Sequence, residues 1–427
     1  MTVDDLGPTL LLASAVLLVA VVAVRLSVRT GLPSLLLYLG LGVLIGERGL
    51  GLRFDDARLT GVLGYAALVV ILAEGGLTTR WGRIRGSVAP AAVLAVVGTA
   101  VSVVVTAVVA RLVLDVPWTI ALLVGAVVSS TDAAAVFSVL RTVPLPARLT
   151  GLLEAESGFN DAPVVILVVA LVADATGAGG SSPWVLVAEA VLELGVGAAV
   201  GLGCGYAGAR LLREVALPSS GLYPIAVLGL AAAAFGAADV LHGSGFLATY
   251  LAALVLGNAR LPHGAAVRGF AEGMGWVAQI GLFVLLGLLA DPARLPGRFL
   301  PGVLVGLAVV LLARPLGVLL SVSWFRVGWR EQVFLSWAGL RGAVPIVLAT
   351  IPLAQGVPGA TQVFDLVVVL VVVLTLAQGP TLPWVARRLR LAGSVTTVGL
   401  DLESSPLGAL DADVLTVRIA PESALHG

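Results

Sequence analysis

Residues 154–173 read EAESGFNDAPVVILVVALVA, with Glu154, Glu156 and Asp161 crowded into eight positions and an apolar run behind them. The run reads as a membrane-spanning helix, yet a carboxylate at the centre of such a helix costs about 2.5–3.5 kcal/mol on insertion scales. Each acid there must answer to something: a cation, a proton or an opposite charge.

The rest of the chain puts that segment in lipid. Its 427 residues are 59% hydrophobic and 12% charged, with a mean hydropathy of +1.07, whereas soluble domains are about one-quarter charged. Thirteen spans are predicted, near residues 7–26, 32–46, 59–79, 87–110, 117–140, 147–173, 183–209, 220–239, 243–258, 270–290, 299–323, 331–352 and 362–386. They fill a transmembrane domain of residues 1–390 and leave 391–427 as a cytoplasmic tail. Apolar blocks of about 20 residues suit a hydrocarbon core about 30 Å thick. They do not alternate as barrel strands do, and abundant Gly and Ala favour close helix packing. The fold class is an all-α integral membrane protein. Short links rich in Pro and Gly, such as RTVPLPA and ALPSSG, leave no room for a folded loop domain.

The chain has no lysine, so its 25 basic residues are all arginine. The odd-numbered links and the stretch just after the last span hold sixteen of them, the even-numbered links six. By the positive-inside rule the amino terminus is expected outside and the carboxyl terminus in the cytoplasm. Trp118, Trp184, Trp324 and Trp384 fall near predicted span ends, where interfacial rings belong. No basic segment precedes the first apolar run, so that span is expected to be retained. Zero net charge gives no hint of a nucleic-acid partner, and the single Cys204 leaves no intrachain disulfide. The partner that the composition demands is the lipid bilayer.

Inside the predicted spans stand Glu74, Asp132, Glu154, Glu156, Asp161 and Arg341, whereas Glu189, Glu193, Asp239, Arg314 and Asp365 fall mostly toward span ends. Asp132 follows Ser129, Ser130 and Thr131, hydroxyls that can satisfy freed backbone groups, so a broken helix is expected at SSTD. In the next span Ser157 lies one helical turn before Asp161, and Asn160 adjoins it. Oxygens of Asp132, Thr131, Ser157 and Asp161 suit a hard monovalent cation, and without Cys or His nearby a softer metal is not expected. Arg341 keeps its proton in any surroundings and inside a membrane calls for an acid. Glu156 is assigned to it as a structural ion pair, with Glu154 as the alternative. If spans one to six and eight to thirteen are repeats, SSTD and GLRGAVP occupy corresponding spans, and an offset of seven inverts the second unit. Inverted repeats with a broken helix in each half mark secondary transporters with a midplane site.

These motifs carry a resemblance. ESGFND is similar to the E-S-x-x-N-D motif of the monovalent cation/proton antiporters of the NhaP and sodium/proton exchanger type. SSTDAAAVFSVLR resembles that family's TD segment, and WAGLRGAVPIVLA its G-L-R-G-A segment. AEGGLTT, GSGFLATYLAALVLGN and AQIGLFVLLGLL also resemble family segments, so the similarity covers most of residues 7–390. The resemblance implies an antiporter fold of two inverted repeats, working by alternating access as a homodimer in the cell membrane. It implies Asp161 as the cation and proton carrier, preceded by Asn160. Asp132 and Thr131 would sit at the broken helix, Ser157 would add an oxygen, and Glu156 with Arg341 would form the ion pair. Asn160, where a second aspartate could stand, is similar to the electroneutral branch, and EAESG with STDAAAVF looks most like the bacterial potassium/proton antiporters. Glu154 and Glu74 are left for access or tuning.

Burial favours the protonated form of any carboxyl, and the same group attracts a partly dehydrated cation, so proton and cation exclude one another. If the site can turn only when loaded, exchange is obligatory. The function expected is exchange of potassium, or alternatively sodium or lithium, for protons, serving cation and pH homeostasis. No cofactor is implied, and no HExxH, GxSxG or GxGD motif points to an enzyme. A cation channel and an organic-anion symporter are the other transport classes. Beyond Arg390 the polar tail holds one alternating run, VLTVRIA, that reads as a strand. It weakly resembles the opening of a TrkA carboxyl-terminal regulatory domain, which would bind a nucleotide only if complete; by itself the tail is expected to be largely disordered.

Overall fold

The computed structural model describes residues 6–30, 33–132, 135–136, 139, 143, 145–177, 183–391, 402–406 and 413–417. Among these residues, nine helices are long and apolar enough to cross a membrane, and four shorter apolar helices accompany them. In chain order they are α1 (Leu6–Thr30), α2 (Ser34–Ile45), α3 (Ala57–Thr78), α4 (Val88–Leu114), α5 (Trp118–Ser129), α6 (Ala147–Ala175) and α7 (Pro183–Glu214). There follow α8 (Leu222–Val240), α9 (Gly245–Asn258), α10 (Gly264–Leu289), α11 (Pro296–Phe325), α12 (Trp329–Trp337), α13 (Ala343–Ala354) and α14 (Ala360–Arg388). A one-turn helix, Trp81–Ile84, interrupts the link between α3 and α4, where a plain loop is expected from sequence.

Local chemistry sets the ends. Asp56 accepts a hydrogen bond from the Leu59 N–H at 2.8 Å and starts α3. Prolines at 33, 117 and 146 stand immediately before α2, α5 and α6, where a fixed φ and a missing N–H cost nothing. Gly359, at φ +85°, makes the left-handed turn into α14.

The helices form two bodies. In the scaffold, α2 and α3 pack on α10, α3 also on α9, and α7 and α8 close around α9. In the core, α4 packs on α5, α5 on α6, and α11 and α13 on α14. The bodies meet mainly where α13 lies on α3 and α6 on α9. Bare glycines let scaffold backbones touch: a Cβ on Gly42 would run into Val284 O of α10, and one on Gly287 into Leu39 O of α2. α1 and α7 are the least covered, with 6% and 11% of their apolar windows buried. The four tryptophans singled out above are 55%, 82%, 84% and 62% exposed at helix ends, the surface expected of interfacial rings.

The two halves share their irregularities. α4 contains a π-helical turn at Leu94–Gly98 and α11 another at Val309–Ala313. The predicted spans 117–140 and 331–352 are both interrupted: α5 stops at Ser129 with Ser130–Asp132 outside any helix, and residues 338–342 separate α12 from α13. Of the tail, β1 (Leu402–Pro406) pairs antiparallel with β2 (Asp413–Val417). β2 covers most of the alternating run; its last residues lie outside the described residues, and β1 is a partner that alternation does not announce.

Candidate ion-binding site

The two interruptions cross. Asp132 N–H donates to Leu340 O at 2.9 Å, and the Asp132 carboxylate packs against Gly342 so closely that a Cβ there would collide with it. Asp132 Oδ1 accepts from the Ala135 N–H at 3.0 Å, capping the turn that restarts after the break. Arg341 Nε donates to Val128 O at 3.0 Å, among the carbonyls left unpaired where α5 ends. An acid at a helix start and a base at a helix end both complement the helix dipole.

α6 lies beside the crossing. Ser130 Oγ donates to Asp161 Oδ1 at 2.7 Å, Asn160 Nδ2 to Thr131 Oγ1 at 2.6 Å, and Ser157 Oγ to Thr131 O at 3.1 Å. Asp132, Thr131, Ser157, Asn160 and Asp161 are therefore brought together, the last three on one turn of α6 and the first two at the end of the break after α5. Pro163, two residues past Asp161, has no N–H for Phe159 O, which frees one further carbonyl in this turn.

The assigned ion pair needs correcting. Glu156 pairs with Arg314, not with Arg341: both of its oxygens accept from the Arg314 guanidinium, one at 2.8 Å from Nη2, with both residues buried. Arg314 Nε also donates to Leu335 O, 3.3 Å away in the last turns of α12. Arg341 is buried too, but its guanidinium donates to the carbonyls of Val128 and Gly339, with Nη2 unmatched. The inference that a buried arginine demands an acid fails because broken-helix ends offer carbonyls in its place. The two guanidinium groups flank Gly339, whose Cβ would lie 2.7 Å from Arg314 Nε and 2.8 Å from Arg341 Nη1. Sequence reasoning grouped Arg314 with charges lying mostly toward span ends and gave it no role; it stands well inside α11.

Asp132, Glu156, Asp161, Arg314 and Arg341 are the ionisable groups gathered around the crossing: with all five ionised, three negative charges against two positive leave one negative unit.

A funnel of about 480 Å³ leads to the crossing. Asp161, Asp132, Thr131 and Ser157 line its base, and Glu74, Thr78, Arg83, Glu154 and Glu272 its wall. Glu154 Oε1 lies 3.3 Å from Arg83 Nη1. Glu74 folds against α10, its Cγ 3.1 Å from where a Cβ of Gly275 would stand. Sequence reasoning missed Glu272 and Tyr250; the Tyr250 ring lies against Gly158, Cζ being 2.5 Å from a Cβ built there. At the opposite end of the bundle a polar cavity of about 560 Å³ is lined by Arg48, Asp55, Asp291 and Arg294. The Ala293 N–H first, and Arg48 and Arg294 after it, hold the Asp291 carboxyl below its ordinary range against some desolvation.

This geometry has relatives. A potassium/proton antiporter NhaP of Alkalimonas amylolytica is 38% identical in an alignment of 413 positions that covers 94% of this chain and 71% of that protein. A potassium/proton antiporter NhaP2 of Shewanella oneidensis is 40% identical over 91% of this chain and 68% of its own length. A sodium/proton antiporter NhaS2 of Synechocystis is 29% identical over 76% and 61%. The structure of the sodium/proton antiporter MjNhaP1 from Methanocaldococcus jannaschii superposes with a TM-score of 0.75 at 22% identity, covering 88% of this chain and 99% of that one, a likeness of fold. The sequence profile of the transmembrane sodium/hydrogen exchangers matches residues 14–388, from α1 to the end of α14. With its crossed helix breaks and its buried aspartate at the foot of a funnel, the chain belongs to the sodium/hydrogen exchanger family.

Proposed function

We propose that this protein is a secondary antiporter that exchanges one monovalent cation, potassium before sodium, for one proton by alternating access. The observation that carries the proposal is Asp161: a buried carboxylate at the base of a funnel, between two helix breaks, in a set with one unmatched negative charge. One cation or one proton cancels that charge, and each excludes the other. Asp161 and Asp132 supply carboxylate oxygens, Thr131 and Ser157 hydroxyls, and Asn160 holds Thr131 in place. The Ser130 hydroxyl donates to Asp161 when the carboxylate is bare and can turn its lone pair to a cation when one arrives. Potassium is favoured because the relatives near 40% identity carry that name; sodium is the second reading because NhaS2 carries the other.

Arg83 lines the funnel and belongs, with Arg80 and Arg85, to the link that the arginine count assigns to the cytoplasmic side. On this reading the amino terminus is outside, the carboxyl terminus inside, and the conformation faces inward, in a cell membrane. The exposed apolar faces of α1 and α7 are where a second copy would join to form a homodimer. The work is vectorial and needs neither a catalytic group nor a cofactor, and it serves cation and pH homeostasis. Residues 391–427, with their short ribbon, are the place for a regulatory segment of the TrkA carboxyl-terminal type.

The test is cation-driven proton movement in proteoliposomes, with potassium, sodium and lithium compared between pH 6.5 and 9. Potassium should dissipate an imposed proton gradient; Asp161→Asn should abolish the signal, and Asp161→Glu should keep part of it with altered affinity. Wild-type exchange by Asp161→Asn would sink the assignment, and a signal with sodium alone would replace potassium.

A further inference from the structure

Glu154, Gly158 and Asp161 stand at positions i, i+4 and i+7 of α6, so they share one face of the helix. Seven steps along the helix put the two acidic positions about 10 Å apart on its axis, with Ser157 and Gly158 between them. All four residues line the funnel, Asp161 and Ser157 at its base and Glu154 on its wall. A cation on its way to Asp161 therefore passes Glu154.

Tyr250 of α9 covers the stretch between the two acids. Its ring lies against Gly158 and meets the Phe159 ring edge-on, with centroids 5.9 Å apart. Thr79 and Glu154 are the polar neighbours of its hydroxyl. Thr79 Oγ1 spends its proton on Gly75 O at 2.7 Å, and Tyr250 Oη, buried, has no hydrogen-bond partner, so its lone pairs are unclaimed. Glu154 is half used as well: Oε1 meets Arg83 Nη1 at 3.3 Å, whereas Oε2 is buried without a partner. Two acceptor oxygens thus stand unmatched on the funnel wall, one charged and one neutral, where buried polar atoms ordinarily find partners.

The arginine beside them is loosely held. Arg83 reaches Glu154 with one nitrogen on one oxygen and is 39% exposed, whereas Arg314 engages both oxygens of Glu156 in the fork geometry that suits a carboxylate. Arg83 is also outnumbered: among the described residues that line the funnel stand five acids, Glu74, Asp132, Glu154, Asp161 and Glu272, and no base other than Arg83. Such a surplus raises the local concentration of cations.

We propose that Glu154 Oε2 and the Tyr250 hydroxyl form an entry subsite for a partly hydrated monovalent cation, and that Arg83 is the tethered cation which the mobile one displaces. The carboxylate supplies the charge and the phenol a neutral oxygen, the hard ligands that suit an alkali cation. Arg83 is fixed in its link, so it competes for Glu154 and never travels to the base. The inference rests on the cation-transport reading above, and it gives Glu154, Arg83 and Tyr250 a shared task.

Potassium-driven proton movement in proteoliposomes, read as the half-saturating potassium concentration, tests the subsite. Glu154→Gln should raise that concentration about threefold, the size of effect a partly exposed charge exerts, and change the maximal rate less. Arg83→Gln should lower it by a similar factor, because the tethered competitor is gone. Tyr250→Phe alters no charge, so neither a general field nor packing predicts a change; the subsite predicts a rise of about twofold that vanishes once Glu154→Gln is in place. An unmoved Tyr250→Phe, a rise that persists undiminished beside Glu154→Gln, or a rise for Arg83→Gln overturns the proposal. Binding is read apart from transport in the full chain carrying Asp161→Asn, with Cys204→Ala and a Thr78→Cys reporter in the funnel. In detergent, potassium in place of choline should slow maleimide labelling of Thr78→Cys, and adding Glu154→Gln should remove that protection. Such protection, in a protein whose parent moves no protons, would keep the subsite and discard antiport. Intact exchange by the parent with no protection, or with protection that survives Glu154→Gln, would discard the subsite and keep antiport.

Discussion

Glu156 and Asp161 stand five positions apart on one helix, yet their surroundings give them different work. Asp161 meets a hydroxyl that can let go, whereas Glu156 meets a guanidinium that cannot. Removing one partner of a buried ion pair costs about 3–5 kcal/mol, comparable to the whole stability of a small domain. Glu156→Gln is therefore expected to lower the unfolding temperature in detergent sharply, and adding Arg314→Met should recover much of the loss; an unchanged melting curve for Glu156→Gln would show the pair to be dispensable. At this scale the site was largely legible in the sequence. Asp161, Asn160 and Ser157 share a turn, and the hydroxyls before Asp132 announce a break, both local facts. Arg314 was not legible because nothing within its own helix distinguishes it: its acid comes from α6 and its carbonyl from α12, contacts that only packing creates. Arg341 misled for the complementary reason, since the carbonyls it meets, Val128 O and Gly339 O, are open to it only because the helices break there.

The links show how elements divide their duties. Asp291 is the second residue of the six-residue connection from α10 to α11, accepting from Arg48 and from the Ala293 N–H. Because its folded pKa is depressed, what it contributes to stability is fully present above the ordinary carboxylate range and is lost only as pH falls through the lower folded value. Its charge is thus constant across the range where exchange is assayed. Asp291→Asn should leave the position of the pH–activity profile unchanged between pH 6.5 and 9, at a stability cost of no more than about 1 kcal/mol, the scale of an exposed pair; a displaced profile would make Asp291 part of the proton pathway. Hydropathy located the long elements to within a few residues, as α3 at Ala57–Thr78 against 59–79 shows. The one-turn helix Trp81–Ile84 escaped it because four residues give no periodicity, and that turn carries Arg83 to the funnel.

At the scale of the whole molecule, the unmatched charge beside the crossed breaks has an electrical consequence. An elementary charge moved across the membrane potential gains or loses about 2.3 kcal/mol per 100 mV. On the proposed one-for-one exchange, the buried set travels as a neutral body whether it holds a cation or a proton. Voltage then does no work on either leg of the cycle. Clamping proteoliposomes at 0 and at −100 mV should leave the exchange rate the same, whereas a rate that climbs with potential would mean that more than one proton accompanies each cation. A transporter so built runs on concentration differences alone, and it keeps working in a cell whose membrane has lost its voltage.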